Sequence, residues 1–119
     1  MNIDWSQLIT KAMKDSALVA EYLADVQAQL VARNAEAALQ ITRLQDRIDT
    51  LGYGIDAGEA TSQDEDEHLA LKDELKTWKA YKFTLGNITR QACWPASPDW
   101  PVPPAIPDIA AVPNINITA

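Results

Sequence analysis

At 119 residues, 47% hydrophobic and 23% charged, with a formal net charge of −7, the chain is about one domain long with room for a tail. All seven prolines lie from Pro95 onward and all four glycines between Gly52 and Gly86, so the first 51 residues hold no helix breaker. That excludes a β-sandwich or barrel, which needs turn punctuation every ~8–12 residues, and it excludes a glycine-rich phosphate loop near the N-terminus.

A single cysteine, Cys93, leaves no internal disulfide and no multi-cysteine zinc site, and a single histidine, His68, leaves no His-rich metal site. No cofactor or metal is expected. No run approaches the ~18–20 apolar residues of a membrane span, and residues 1–5 do not open a signal sequence, so a soluble chain in a reducing compartment is expected. Charge is uneven along the chain: residues 52–68 carry six acidic groups and no Lys or Arg, whereas residues 69–90 carry a net charge of +3. An acidic chain without a dominant basic face is a poor nucleic-acid binder, because phosphate contacts supply most of that affinity.

The first element reads as one helix over about residues 5–51. Asp4 is placed to cap it, with Gln7 as the reciprocal partner, and abundant alanine favours it. Its apolar seam runs Val19, Leu23, Val26, Leu30, then Ala37, Ile41, Leu44, Ile48, Leu51, in steps of four and three. That is a coiled-coil repeat, with a slip at Arg33-Asn34 where a stutter enters. Three partners fit the seam: the chain's own second helix, a second copy of the chain, or the helix of another protein. Upstream, Trp5, Leu8, Ile9, Ala12 and Met13 form a broader apolar face.

Gly52 is placed to end this helix as a left-handed residue, and residues 55–61 read as a surface loop. The second helix is expected over about 62–90, with Ser62 as N-cap and Glu65 closing the capping box. The acidic run Asp64–Glu67 suits the positive end of the helix dipole and needs no metal to explain it. Leu71, Leu75, Trp78, Tyr81, Leu85 and Ile88 make its apolar stripe. The chain is therefore expected to be all-α: an antiparallel hairpin over residues 1–92 with a core of Leu30, Ile41, Leu44, Ile48, Leu75, Trp78, Tyr81 and Leu85, then an extended tail over 93–119. The second helix is about half as long as the first. Residues 5–25, with Trp5, Leu8 and Met13, then lack an obvious intrachain partner and suggest a binding surface.

The tail, from Cys93-Trp94-Pro95 through Ile106-Pro107, is too proline-rich for helix and favours polyproline II. Trp94 and Trp100 need a surface, either on the hairpin or on a partner. Val112–Thr118 alternates polar and apolar residues after Pro113, as a strand added to another chain's sheet edge would. No catalytic constellation is visible. His68 follows an acidic helix start and reads as a solvated residue, and Cys93 as a half-buried apolar one. A non-enzymatic chain is expected.

Residues Leu75-Lys76-Thr77-Trp78-Lys79-Ala80-Tyr81-Lys82-Phe83-Thr84-Leu85-Gly86-Asn87-Ile88 resemble a helix of bacteriophage tail fibre assembly proteins (tail assembly chaperones), which reads Leu-x-x-Trp-Lys-x-Tyr-Arg-x-x-Leu-x-x-Ile/Val. Lys82 stands where that family has Arg. In that family a proline-rich Trp-Pro-x-x-Pro stretch follows, and Trp100-Pro101-Val102-Pro103-Pro104 is similar to it. The resemblance covers about residues 71–104. It implies an assembly factor that binds and helps fold or cap a tail fibre, acting in the bacterial host cytoplasm during assembly or retained in the particle. It also implies a partner-binding set of Trp94, Pro95, Trp100, Pro101, Pro103 and Pro104, in which Trp94 and Trp100 face the client and Pro101, Pro103 and Pro104 fix their presentation. The competing readings are a structural tail or baseplate protein that stays in the particle, and a small coiled-coil regulator of another protein.

Overall fold

The computed structural model describes the backbone of residues 5–114 and the side chains of residues 18–114. The chain is an all-α hairpin of two helices packed against each other, with no strand among the described residues. Helix α1 spans Trp5–Asp56 and α2 spans Ser62–Gly86, followed by a single 3-10 turn, Ile88–Arg90. Contacts divide the chain into two units, Met1–Ala32 and Arg33–Ala119, so the hairpin and the tail share the second unit. The division falls where the seam slips at Arg33. The expected cap at Asp4 lies outside the described residues.

Helix α1 runs five residues past the expected end, through Gly52 and Gly54. Its stop is a Schellman motif built on Gly58, whose φ is 73°. The Glu59 N–H donates to the Gly54 carbonyl at 2.9 Å and the Gly58 N–H to the Ile55 carbonyl at 3.1 Å. Only a residue without a Cβ adopts that backbone cheaply, so Gly58 and not Gly52 ends the helix. The start of α2 is also one residue earlier than expected. Thr61, not Ser62, is the N-cap: its hydroxyl accepts from the Asp64 N–H at 3.1 Å, and the Asp64 carboxylate accepts from the Thr61 N–H at 3.0 Å. The far end of α2 stops at Gly86 and not near residue 90, because the Asn87 side chain donates to the Phe83 carbonyl at 3.1 Å and the backbone tightens into the 3-10 turn.

In the second unit the buried core comprises Ala37, Leu44, Ile48 and Leu51 of α1, Leu71, Trp78, Tyr81 and Leu85 of α2, and Ile88 and Ile109 beyond it. Trp78 and Tyr81 meet edge to face, with ring centroids 5.6 Å apart. Arg47 of α1 and Glu67 of α2 pair at 2.6 Å, and the Lys82 ammonium donates to Asn34 at 3.3 Å. These contacts fix the antiparallel register. Leu30, Ile41 and Leu75, expected in the core, are only half-buried. On α1 Gln40 and Arg43 are buried instead of the neighbouring Ile41, because residues 112–114 of the tail give their polar ends partners.

In the first unit, Val26 is buried and Leu23 and Leu30 half-buried, whereas Leu18, Val19 and Tyr22 are exposed. Val19 therefore does not belong to the covered part of the seam.

Candidate protein-binding surface

The tail begins with a closed loop. The Gln91 side chain holds both main-chain groups of Asp99, and the Ser97 N–H donates to the Cys93 carbonyl at 2.8 Å. This brings Trp94 and Trp100 together, edge to face, with centroids 6.3 Å apart. The Arg33 guanidinium sits 4.5 Å from the centre of the Trp100 ring, a cation–π contact that an indole face favours. The Trp94–Pro95 peptide bond is cis.

From Pro98 the chain becomes a strap without regular hydrogen bonding, laid along the hairpin. Pro101 and Pro104 are half-buried, and Pro107 is buried. This three-residue recurrence is the period of polyproline II. Two buried side chains reach the strap's backbone. The Trp78 indole N–H donates to the Ala105 carbonyl at 3.3 Å, and the Arg43 Nε–H donates to the Val112 carbonyl at 2.9 Å. Arg43 also donates to the Gln40 side-chain oxygen, while the Gln40 amide donates to Glu36 at 2.8 Å and to Asn114 at 3.4 Å. No buried side-chain nitrogen or oxygen among the described residues lacks a partner, as a polar network under a strap must arrange to avoid its desolvation cost.

The placement alters the expected client-facing set. Trp94, Pro95, Trp100, Pro101 and Pro104 are half-buried, because they pack within the loop or turn toward the hairpin. Of that set only Pro103 is exposed. The residues that point outward are Val102, 87% exposed, and Ile106, 54% exposed. Sequence reasoning missed both, although a period of three counted from Pro101 separates them from the covered prolines. The side chains of Trp5, Leu8 and Met13 lie outside the described residues, as does the Ile115–Thr118 part of the alternating end. Residues 112–114 form no strand.

The two residues considered for chemistry sit differently from expectation. Cys93 is exposed, with its thiol donating to Gln91 at 3.3 Å. His68 is half-buried beside Gly52, in an open cleft that Asp49, Tyr53, Asp56 and Lys72 also line. Among the described residues no group of three or more His, Cys, Asp or Glu side chains is placed to hold a metal ion. No described helix is long and apolar enough to cross a membrane. Compared with models of protein families, with curated proteins and with solved structures, the chain matches none.

Proposed function

We propose that the chain is a non-enzymatic assembly factor that binds a phage or phage-like tail fibre and helps it fold or caps it. One observation carries this reading. The helix around Trp78 and the Trp-Pro segment at 100–104, through which the sequence resembles tail fibre assembly proteins, join in one folded unit: the Trp78 indole N–H holds the Ala105 carbonyl, next after Pro104. Trp78 and Tyr81 serve as the foundation, and the strap is the presented element. Its outward line of Val102, Pro103 and Ile106 offers apolar surface in a low-entropy extended form, which suits covering apolar surface on a folding fibre.

The test is to produce the fibre of the same particle with and without this chain. Soluble, trimeric fibre that depends on the chain, and a complex that co-purifies, are the expected results. Fibre that assembles equally well alone and does not retain the chain overturns the reading. Stoichiometric recovery of the chain in purified particles whose fibres assemble without it identifies a structural tail protein instead.

A further inference from the structure

A pair of packed helices leaves two long grooves, one on each side of their line of contact. The strap occupies one: it bonds Gln40 and Arg43 on α1 and Trp78 on α2. At about 100° per residue, Ile41 on α1 and Leu75 on α2 turn to the other side. There both seam residues stay only half-buried. Toward the loop the same side opens as the cleft lined by Gly52, His68 and Lys72.

This second groove has a basic rim. Lys72 and Lys79 follow its edge on α2 with Lys76 beside them. All three are exposed, and none makes an ion pair among the described residues. The facing edge of α1 is Ala38, Thr42 and Gln45, uncharged until Asp49, which shares the cleft with Lys72. Asp73 and Glu74 turn away from it, Glu74 toward the strap at Pro104.

The first unit carries the complement. Its helical residues 18–32 include two acidic groups and no Lys or Arg. Those two, Glu21 and Asp25, are exposed and stand one turn apart beside Leu18, which is itself 56% exposed. A helix in water draws most of its stability from packing an apolar face. No glycine or proline precedes Gly52, so this segment has no turn at which to fold back beside residues 33–56 of its own chain.

We propose that the second groove receives residues 18–32 of a second copy of the chain, and that reciprocal docking closes a two-fold dimer. Leu18 covers the half-buried pair Ile41 and Leu75, and the carboxylates of Glu21 and Asp25 face the lysine row. Docking in one direction only would run on into open chains, whereas exchange in both directions closes. The proposal does not rest on the fibre-binding reading.

The test is sedimentation equilibrium of the full chain, expected to show a dimer that weakens as salt rises. Two variants reverse charge at exposed positions: Lys76→Glu with Lys79→Glu, and Glu21→Lys with Asp25→Lys. Each alone is expected to dimerise at least ~10-fold more weakly. The second variant raises the formal net charge of −7 by four units, so overall repulsion falls and a weaker dimer reports the specific pairing. Mixed together, the two variants are expected to form a heterodimer close to native affinity, because both of its interfaces are again matched in charge. A native chain that stays monomeric at ~100 μM overturns the proposal. Native-strength dimers of the Lys76→Glu, Lys79→Glu variant also overturn it, and would show that the first units pair with each other. Failure of the mixture to recover affinity overturns it as well.

Discussion

The Gln91 side-chain amide pairs with both main-chain groups of Asp99: Nε2 donates to the carbonyl at 3.0 Å, and Oε1 accepts from the N–H at 2.8 Å. One side chain thus stands in for a strand neighbour and closes the loop that seats Trp94 against Trp100. Gln91→Leu keeps the bulk and removes both bonds. The expected cost is about 1 kcal/mol, since exposed bonds exchange with water on unfolding. The near-ultraviolet circular dichroism of the tryptophan pair is expected to weaken with it. An unchanged tryptophan signal would show that the pair holds itself without the clamp.

The two candidate caps of α2 separate cleanly by mutation. Thr61→Ala removes the hydroxyl that accepts from Asp64 and is expected to lower stability by about 1 kcal/mol. Ser62→Ala replaces the first residue of the helix, whose hydroxyl caps nothing, and is expected to change stability by less than ~0.5 kcal/mol. Denaturant midpoints of the two variants measure the difference. The reverse order would restore Ser62 as the cap.

Glycines give a second contrast. Gly52 lies inside α1, and a Cβ there would meet the His68 ring nitrogen at 3.8 Å, an ordinary contact. Gly52→Ala is therefore expected to stabilise the chain by roughly 0.5–1 kcal/mol, through helix propensity and a less flexible unfolded chain. Gly58 has open space around it but a φ of +73°. Gly58→Ala is expected to destabilise by about 1 kcal/mol, because the strain is in the backbone. Thermal unfolding of both variants reads the opposite signs.

These positions mark how far the sequence speaks for itself. The long first helix was legible because 51 breaker-free residues admit little else, and the stripe from Leu71 to Ile88 told which face of α2 turns inward. Two glycines six residues apart both suit a helix stop, and no local signal says that the chain uses the second. The burial of Gln40 and Arg43 was closed to sequence reasoning for a different reason. Their partners Asn114 and Val112 lie 74 and 69 residues away, so nothing near either residue announces the strap. The outward turn of Val102 and Ile106 follows from the same docking.

The Arg47–Glu67 pair links the helices near the loop, with side-chain exposures of 22% and 41%. The hydrogen bond to Glu67 raises the Arg47 pKa. Burial opposes that, and the negative charges of Glu67 and Asp64 add to it. A folded pKa above the unfolded one gives stability that is complete below the unfolded value and is lost only as pH rises through the folded value. For an arginine both lie far above neutrality, so between about pH 6 and about pH 10 the Arg47 charge contributes no slope to unfolding free energy. Solvent screening limits the pair itself. Glu67→Gln is expected to cost less than ~1 kcal/mol, with the cost shrinking as salt rises. A cost of several kcal/mol, unaffected by salt, would mean that the pair is far less hydrated than its exposure implies.

The outward line of the strap separates binding from folding. Val102 is 87% exposed and Ile106 54%, so Val102→Asp is expected to change stability by no more than ~0.5 kcal/mol and Ile106→Asp, part of whose side chain is covered, by about 1 kcal/mol at most. Strap protection in hydrogen exchange is expected to persist. If these side chains meet the fibre, each carboxylate must be desolvated against an apolar surface, and co-purification of the fibre is expected to fall at least ~10-fold. Trp100→Ala differs in kind: it removes the partner of both Trp94 and Arg33, so it is expected to loosen the loop and lower fibre binding together. Fibre binding retained by the folded double-aspartate variant and lost only with Trp100→Ala would move the contact surface from the outward line to the tryptophan loop.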